Sequence, residues 1–147
     1  MRLAWKPVLP VTLLLVQACS IEQPVSGPVL LTSEWKTVEP PEPLRTGRLE
    51  QRLCLDVGTM QDVDFEKGVV VLGNGQRHTL AGEVIDNEQT TYPLKVAEQG
   101  RTVCLNRAER AAPEPDFPSD RTIVRVRLRS EPPLQVAEIR WHSYDPH

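Results

Sequence analysis

The sequence predicts an all-β protein, with a single small antiparallel β-sandwich or barrel-like domain over residues 48–147. Apolar and polar residues alternate with a period of two along several segments after Arg48, as expected for half-buried strands. Turn signals rich in Gly, Asn and Pro separate these segments. No segment carries a convincing apolar stripe with helical spacing. Six to eight short strands are therefore expected, a number typical of a sandwich or a small barrel.

The first predicted strand separates apolar and polar residues onto opposite faces. The apolar face has Leu49, Leu53, Leu55 and Val57, and the polar face has Glu50, Arg52 and Asp56. A second strand is predicted over residues 65–72. Gly73-Asn74-Gly75 follows it, and Asn-Gly is a strong hairpin signal because both residues accept a positive φ. The partner strand of this hairpin is expected over residues 77–85.

Four further strands are expected in the rest of the chain. Residues 94–97 and 101–105 flank Gln99-Gly100 and predict another hairpin. A loop that contains three prolines leads to a strand over residues 122–129. The sequence Ser130-Glu131-Pro132-Pro133 predicts a turn into a last strand over residues 134–144, because proline cannot donate to a ladder.

The first eighteen residues have the layout of a secretory signal. Arg2 and Lys6 supply positive charge, a short apolar run extends over residues 8–16, and small Ala18 comes before Cys19. The run is too short and too interrupted to span a bilayer as a mature helix.

The ending Val16-Gln17-Ala18-Cys19 resembles a bacterial lipobox. The resemblance implies that residues 1–18 are a lipoprotein signal peptide and that Cys19 carries three acyl chains. One acyl chain gives only marginal membrane attachment, so three chains imply permanent anchoring. The pattern also implies delivery to the outer membrane, on its periplasmic side, because Ser20 stands where an inner-membrane retention signal has aspartate.

Residues 19–47 are interpreted as the lipidated N-terminus and a Pro-rich tether. Prolines at five positions deny backbone donors to a long helix or a central strand: Pro24, Pro28, Pro40, Pro41 and Pro43. An extended Pro-rich segment rises about 3.1 Å per residue, so this one would reach roughly 80 Å. The alternative is that apolar residues such as Trp35 dock onto the domain, with a short edge strand over residues 32–38.

The charge balance excludes some partners. The leader contains two of the 17 Lys and Arg residues and none of the 20 Asp and Glu residues, so the remainder has a formal net charge of −5. A general nucleic-acid binder or anionic-membrane binder requires a basic balance. The 129 residues that follow the leader suit one domain with a sizeable core.

Cys54 and Cys104 predict a disulfide. They stand in similar settings, Leu53-Cys54-Leu55 and Val103-Cys104-Leu105, each near the centre of a predicted strand. With Cys19 lipidated, two thiols remain in an oxidising compartment, where a disulfide is the economical interpretation. Two buried free thiols are the alternative. A redox-active pair is not expected, because the chain has no Cys-x-x-Cys motif.

Arg125, Arg127 and Arg129 form a second candidate feature. They alternate with apolar residues, so their guanidinium groups are expected on one sheet face about 7 Å apart. Such a ladder would bind phosphates or carboxylates of an envelope polymer. The alternative is a solvated face whose arginines pair with Asp or Glu on neighbouring strands.

The C-terminal residues suggest a third candidate. Trp141 and Tyr144 have polar neighbours and would stack on a sugar ring at the edge of the domain, although strand spacing from Ile139 favours a core position for Trp141. The three histidines His78, His142 and His147 lack metal-ligand spacing, so no metal or cofactor is expected.

No enzyme motif is recognisable, whether a nucleophile elbow, a zinc-protease helix, a Walker loop or a dinucleotide fingerprint. The sequence therefore favours a lipid-anchored, non-catalytic binding or assembly module of the cell envelope. Its expected partners are the membrane and either an envelope protein or a polysaccharide. The alternatives are a carbohydrate- or peptidoglycan-binding module and a small periplasmic enzyme inhibitor.

Overall fold

The computed structural model describes residues 20–47, 50–108 and 115–144. These ranges contain thirteen strands and no helix, and all of their strand pairs are antiparallel, which confirms the predicted fold class. The strands are β1 Ser20–Ser26, β2 Val29–Leu31, β3 Lys36–Val38, β4 Leu44–Arg45, β5 Glu50–Asp56, β6 Met60–Asp64, β7 Val69–Leu72, β8 Arg77–Asp86, β9 Thr91–Gln99, β10 Val103–Arg107, β11 Thr122–Glu131, β12 Leu134–Val136 and β13 Glu138–Tyr144.

Seven strands form one continuous path, in the order β1, β13, β5, β10, β9, β8 and β11. Both β3 and β4 pair with the remaining edge of β11. The hairpin of β6 and β7 extends the sheet beside the first residues of β8. This path curves into a nearly closed barrel, with β4 next to β1.

The side chain of Gln23 closes the gap between β1 and β4. Its amide nitrogen donates to the Pro43 carbonyl at 3.1 Å, and its amide oxygen accepts from the Arg45 N–H at 2.8 Å. A side-chain amide has the same donor and acceptor as a peptide unit. Gln23 therefore supplies the two hydrogen bonds that one residue of a paired strand would make.

The barrel interior is filled by side chains from several strands. Gly82 of β8 faces inward, and a Cβ atom there would lie 2.9 Å from Cδ2 of both Leu105 and Leu128. Any larger residue there would force both leucine side chains to move, because they already occupy the space in front of the glycine. Both leucines are fully buried, so this level of the barrel is a packed core rather than a ligand cavity.

Both ends of the barrel are covered. The ribbon formed by β2 and β12 lies at one end, where it buries Leu31 and Leu134. Asp116 and Phe117 lie in the connection before β11 and are buried at the other end. The Phe117 ring meets Tyr92 edge-on at 5.2 Å between centroids and lies 5.6 Å from Trp141.

The interpretation of residues 20–47 as a tether is wrong, because these residues are part of the barrel. β1 pairs with β13 from Ser20↔Tyr144 to Ser26↔Ile139, and three side chains of the segment are buried in the core: Val25, Leu31 and Leu44. The prolines are tolerated because β1 is an edge strand and because three of them lie between β3 and β4, outside any ladder. The alternative prediction of an edge strand near Trp35 is confirmed by β3.

Several strand boundaries also differ from the prediction: β9 spans Thr91–Gln99 instead of 94–97 and β11 extends to Glu131, and two other differences have a clear physical cause. The expected strand over residues 65–72 begins only at Val69, because the Asp64 carbonyl accepts from the Gly68 N–H and closes a turn. Phe65 lies in that turn and is 47% exposed. The expected last strand over residues 134–144 is divided at Ala137, whose N–H donates to the Asp56 carbonyl. Both predicted hairpins are present, between β7 and β8 and between β9 and β10.

Candidate functional site

The arginine ladder lies on the outward face of β11. Val126 and Leu128 are fully buried toward the barrel interior, so the alternating positions Arg125, Arg127 and Arg129 face outward. The face that the sequence predicts is therefore present. Its chemistry depends on which guanidinium groups have partners.

Two of the three arginines have acidic or amide partners on neighbouring elements. Arg127 donates to the Glu83 carboxylate at 2.6 Å, from the directly opposite position on β8. Arg125 donates to the Gln89 side-chain oxygen at 3.1 Å and lies 3.7 Å from the Glu39 carboxylate. These contacts agree with the alternative prediction of paired arginines, so Arg125 and Arg127 are not free anion-binding groups.

The Trp35 ring lies beside two arginines of the ladder. It precedes β3, one position beyond the Lys36↔Leu128 pair, and its ring lies beside the outward arginines. The guanidinium carbon of Arg129 is 4.7 Å from the ring centroid, and that of Arg127 is 5.1 Å away. Both distances are within the range of cation–π attraction. We call Trp35, Arg127 and Arg129 the Trp35 strip.

Arg129 is the member of the strip with spare hydrogen-bonding capacity. It is exposed, and no carboxylate among the described residues lies within ion-pair distance of it. It borders a depression of about 160 Å³ that Ser33, Thr79, Ala81, Ser130 and the acidic Glu131 also line. Drug-sized ligands occupy pockets of about 300–1,000 Å³, so this volume suits a single carboxylate or phosphate group. The Trp35 ring holds the guanidinium beside this space.

The prediction that Trp141 stacks on a ligand is wrong, and the core position that its strand spacing from Ile139 favours is confirmed. Ile139, Trp141 and Ser143 share the inward face of β13, and Trp141 is 1% exposed. Its indole N–H donates to the Arg45 carbonyl at 2.8 Å. This contact connects β13 to β4 across the barrel seam. The side chain of Tyr144 and all of Cys19 lie outside the described residues.

The predicted disulfide is confirmed. Cys54 of β5 and Cys104 of β10 are directly opposite each other in the antiparallel ladder, and an S–S bond joins them. Leu53 and Leu55 face the interior, so the disulfide lies on the outer surface of the barrel. Each cysteine is nevertheless only 5% exposed. The disulfide is therefore a structural crosslink between two neighbouring strands.

A buried polar cluster lies at the end of the barrel that Phe117 covers. Asp86, the last residue of β8, is fully buried and accepts hydrogen bonds from the Glu88 and Thr90 N–H groups. Its other oxygen accepts from the Tyr92 hydroxyl at 2.8 Å and from Arg121 at 3.1 Å. Burial acts to raise the pKa of Asp86, but these four hydrogen bonds together lower the pKa below its ordinary value of 3.8. Asp86 is thus an ionised anchor for the turn and the loop.

The same end contains a second group of buried polar side chains. The Asp116 carboxylate accepts from the Gln51 N–H at 2.8 Å, and the Gln51 amide donates to the Ser143 hydroxyl at 3.2 Å. Arg107 donates to the Asp116 carbonyl at 2.7 Å and lies over the Tyr92 ring. No sequence pattern predicted this cluster, because its polar side chains come from three strands and a loop that are far apart in the sequence. Its contacts hold the connection before β11 in place rather than form an open reaction site.

Acidification should test the role of Asp86. Because folding lowers the Asp86 pKa, its contribution to stability is complete above the unfolded value near 3.8 and is lost as the pH falls through the folded value. We expect Asp86→Asn to lower the free energy of unfolding clearly at about pH 7, and the difference from wild type to narrow toward about pH 3. Urea unfolding across this range measures both. Exposed Asp62→Asn is the control and should stay near wild type; a constant deficit for Asp86→Asn at every pH would contradict the interpretation.

Comparisons with known proteins do not indicate a function. No protein-family model, curated protein or solved structure matches this chain. Within the described ranges, no helix is long and apolar enough to cross a membrane. The same residues contain no cluster of three or more potential metal ligands.

Proposed function

We propose that the protein is a lipid-anchored, non-catalytic binding module of the cell envelope, located on the periplasmic side of the outer membrane. The lipobox-like sequence Val16-Gln17-Ala18-Cys19 supports the anchor. The Cys54–Cys104 disulfide supports an oxidising compartment, because disulfides persist outside the cytosol. The packed barrel interior supports recognition at the outer surface rather than transport of a ligand inside.

The ligand class that we propose is an anionic envelope polymer, recognised through single carboxylate or phosphate groups. The observation that carries this proposal is Arg129, which is exposed, lies beside Trp35 and borders a small polar depression. A guanidinium group binds carboxylate and phosphate in bidentate fashion. The net charge of −5 opposes nonspecific attraction of polyanions, so binding would depend on this local site.

A small inhibitor of a periplasmic enzyme is the second candidate. A broad depression of about 710 Å³ favours it, on the face beside the disulfide, where Arg101, Thr102, Arg140 and His142 form part of the lining. Arg140 in this depression is already paired with Glu22 and Glu138, each at 3.1 Å. Because Arg140 is already paired with these carboxylates, we prefer Arg129 as the site that binds the polymer.

Retention on purified peptidoglycan tests the proposed ligand class. We expect Arg129→Gln in the full lipidated protein to weaken retention about tenfold, because hydrogen bonds to charged groups contribute about 1.5–3 kcal/mol and 1.4 kcal/mol is tenfold. Arg77→Gln is the matched control, an exposed arginine at the start of β8 away from Trp35. Both variants should unfold within about 1 kcal/mol of wild type.

Chemical amidation of the peptidoglycan carboxylates should remove the difference between wild type and Arg129→Gln. An equal loss in Arg129→Gln and Arg77→Gln would indicate nonspecific charge attraction and contradict the proposal. Unchanged retention in Arg129→Gln would exclude the Trp35 strip as the site, and would leave the depression beside the disulfide as the next surface to examine.

A further inference from the structure

The predicted lipid attachment point is immediately next to the folded barrel. Cys19 precedes Ser20, and Ser20 is the first residue of β1. Successive Cα atoms are about 3.8 Å apart, so no spacer separates the two. Ser20 pairs with Tyr144, and Tyr144 pairs with Glu50 at the start of β5. An acyl group on Cys19 would therefore be attached at the rim of the barrel.

The alternating strand directions show which residues share that rim. Neighbouring strands run antiparallel, so the start of one strand and the end of the next lie at the same end of the barrel. At the end that includes Ser20, these strand ends are Tyr144, Glu50, Arg107, Thr91, Asp86, Thr122 and Arg45. We call this end of the barrel the Ser20 rim. The opposite end has Ser26, Glu138, Asp56, Thr102 and Glu131. Trp35 and Arg129 lie toward this opposite end.

The part of the Ser20 rim that the structure describes has a polar surface. The turns that project there expose Glu88, Ser119 and Asp120, and Arg45 is exposed beside them. Phe117 is 1% exposed, so it covers the core without offering an apolar surface. Among the described residues, the large exposed apolar side chains are Leu30 and Phe65, in β2 and in the turn between β6 and β7. This composition suits the headgroup layer of a bilayer rather than its hydrocarbon interior.

We propose that the Ser20 rim lies on the phospholipid headgroups when Cys19 is acylated, and that the Trp35 strip then lies on the barrel wall toward the end that is distant from the membrane. This inference rests on the lipid anchor of the proposed function. It assigns a membrane-contact surface and a preferred orientation, because a connection of one peptide unit keeps the Ser20 rim next to the bilayer. The length of the barrel then sets the distance between the membrane and the Trp35 strip, where the strip can meet polymers of the periplasm.

Cysteine accessibility on vesicles tests this orientation. Ser119→Cys places a thiol at the Ser20 rim, and Ser33→Cys places one beside the Trp35 strip at the opposite end; both positions are exposed. The native disulfide leaves no other thiol in the folded domain that reacts readily. Full-length lipidated protein is added to preformed vesicles of phosphatidylethanolamine and phosphatidylglycerol. The reaction rate of each thiol with a polyethylene-glycol maleimide is then compared with that of protein in solution that carries Cys19→Ala.

We expect vesicle binding to slow the reaction of Ser119→Cys several-fold and to leave that of Ser33→Cys unchanged. A Gly-Ser insertion of roughly 20 residues between Cys19 and Ser20 has a mean reach of about 25 Å and should restore the rate at position 119. If vesicle binding slows both thiols by the same factor relative to protein in solution, the orientation is wrong although the anchor is present. Failure of wild-type protein to bind vesicles, or binding that survives Cys19→Ala, would overturn the lipid anchor and with it the inference.

Discussion

Replacing Cys54 and Cys104 together by alanine should lower the free energy of unfolding by about 4 kcal/mol, because the disulfide closes a loop with a sequence separation of 50 residues. The loop contains β6 to β9, which form a large part of the barrel wall. Without the crosslink, the unfolded chain gains the freedom of that whole segment, whereas β5 and β10 remain paired by backbone hydrogen bonds in the folded state.

Urea unfolding of oxidised wild type, reduced wild type and the double alanine variant measures this effect. The reduced protein and the double variant should be destabilised to a similar extent, which separates loss of the crosslink from loss of side-chain volume. A double variant within about 1 kcal/mol of oxidised wild type would show that the bond adds little to the strand pairing around it.

The second large effect is expected from Trp141→Ala, which should destabilise the protein by about 3–5 kcal/mol. The substitution leaves a cavity beside Phe117 and removes the indole hydrogen bond to the Arg45 carbonyl. The loss therefore affects the core and the seam between β13 and β4 together. Urea unfolding followed by circular dichroism measures the effect without depending on tryptophan fluorescence.

Trp35→Ala is the matched control, because the same residue type occupies a half-buried outward position there. We expect Trp35→Ala to cost about 1–2 kcal/mol, because it removes two cation–π contacts of about 0.5–1 kcal/mol each, and to weaken retention on peptidoglycan. The opposite ranking, with Trp35→Ala the more destabilising variant, would show that the assignment of core and surface tryptophan is wrong.

The strands after residue 50 were predictable because their signals are local. Alternation of apolar and polar residues marks β5 and β8, and Gly75 adopts the positive φ of 88° that the Asn-Gly turn implies. The disulfide followed from two cysteines in similar strand settings. Phe65 was assigned incorrectly because its apolar character suggested a strand, whereas the carbonyl and side chain of Asp64 accept from the N–H groups of Gly68 and Lys67 and close a turn.

The role of residues 20–47 was not predictable from proline content. Proline excludes central strands but not edges or connections, and β1 is an edge strand with its backbone paired on one side. What brings β1 and β4 together is Gln23, whose partners Pro43 and Arg45 are about twenty residues away. The buried state of Asp86 likewise depends on Tyr92 and on Arg121 from a distant loop. Such long-range contacts leave no periodic signal in a sequence.

The edge position of β1 has a mechanical consequence for a protein anchored at Cys19. If the bilayer lies beyond the Ser20 rim, tension in the acyl chains would pull Ser20 along the direction of β1. The six registered positions between β1 and β13 would then share the load in shear, so they would have to yield together rather than one after another. The Gln23 bridge would add resistance on the other side of the same strand. In a protein anchored in this way, β1 would be loaded in the direction in which its hydrogen bonds act in parallel.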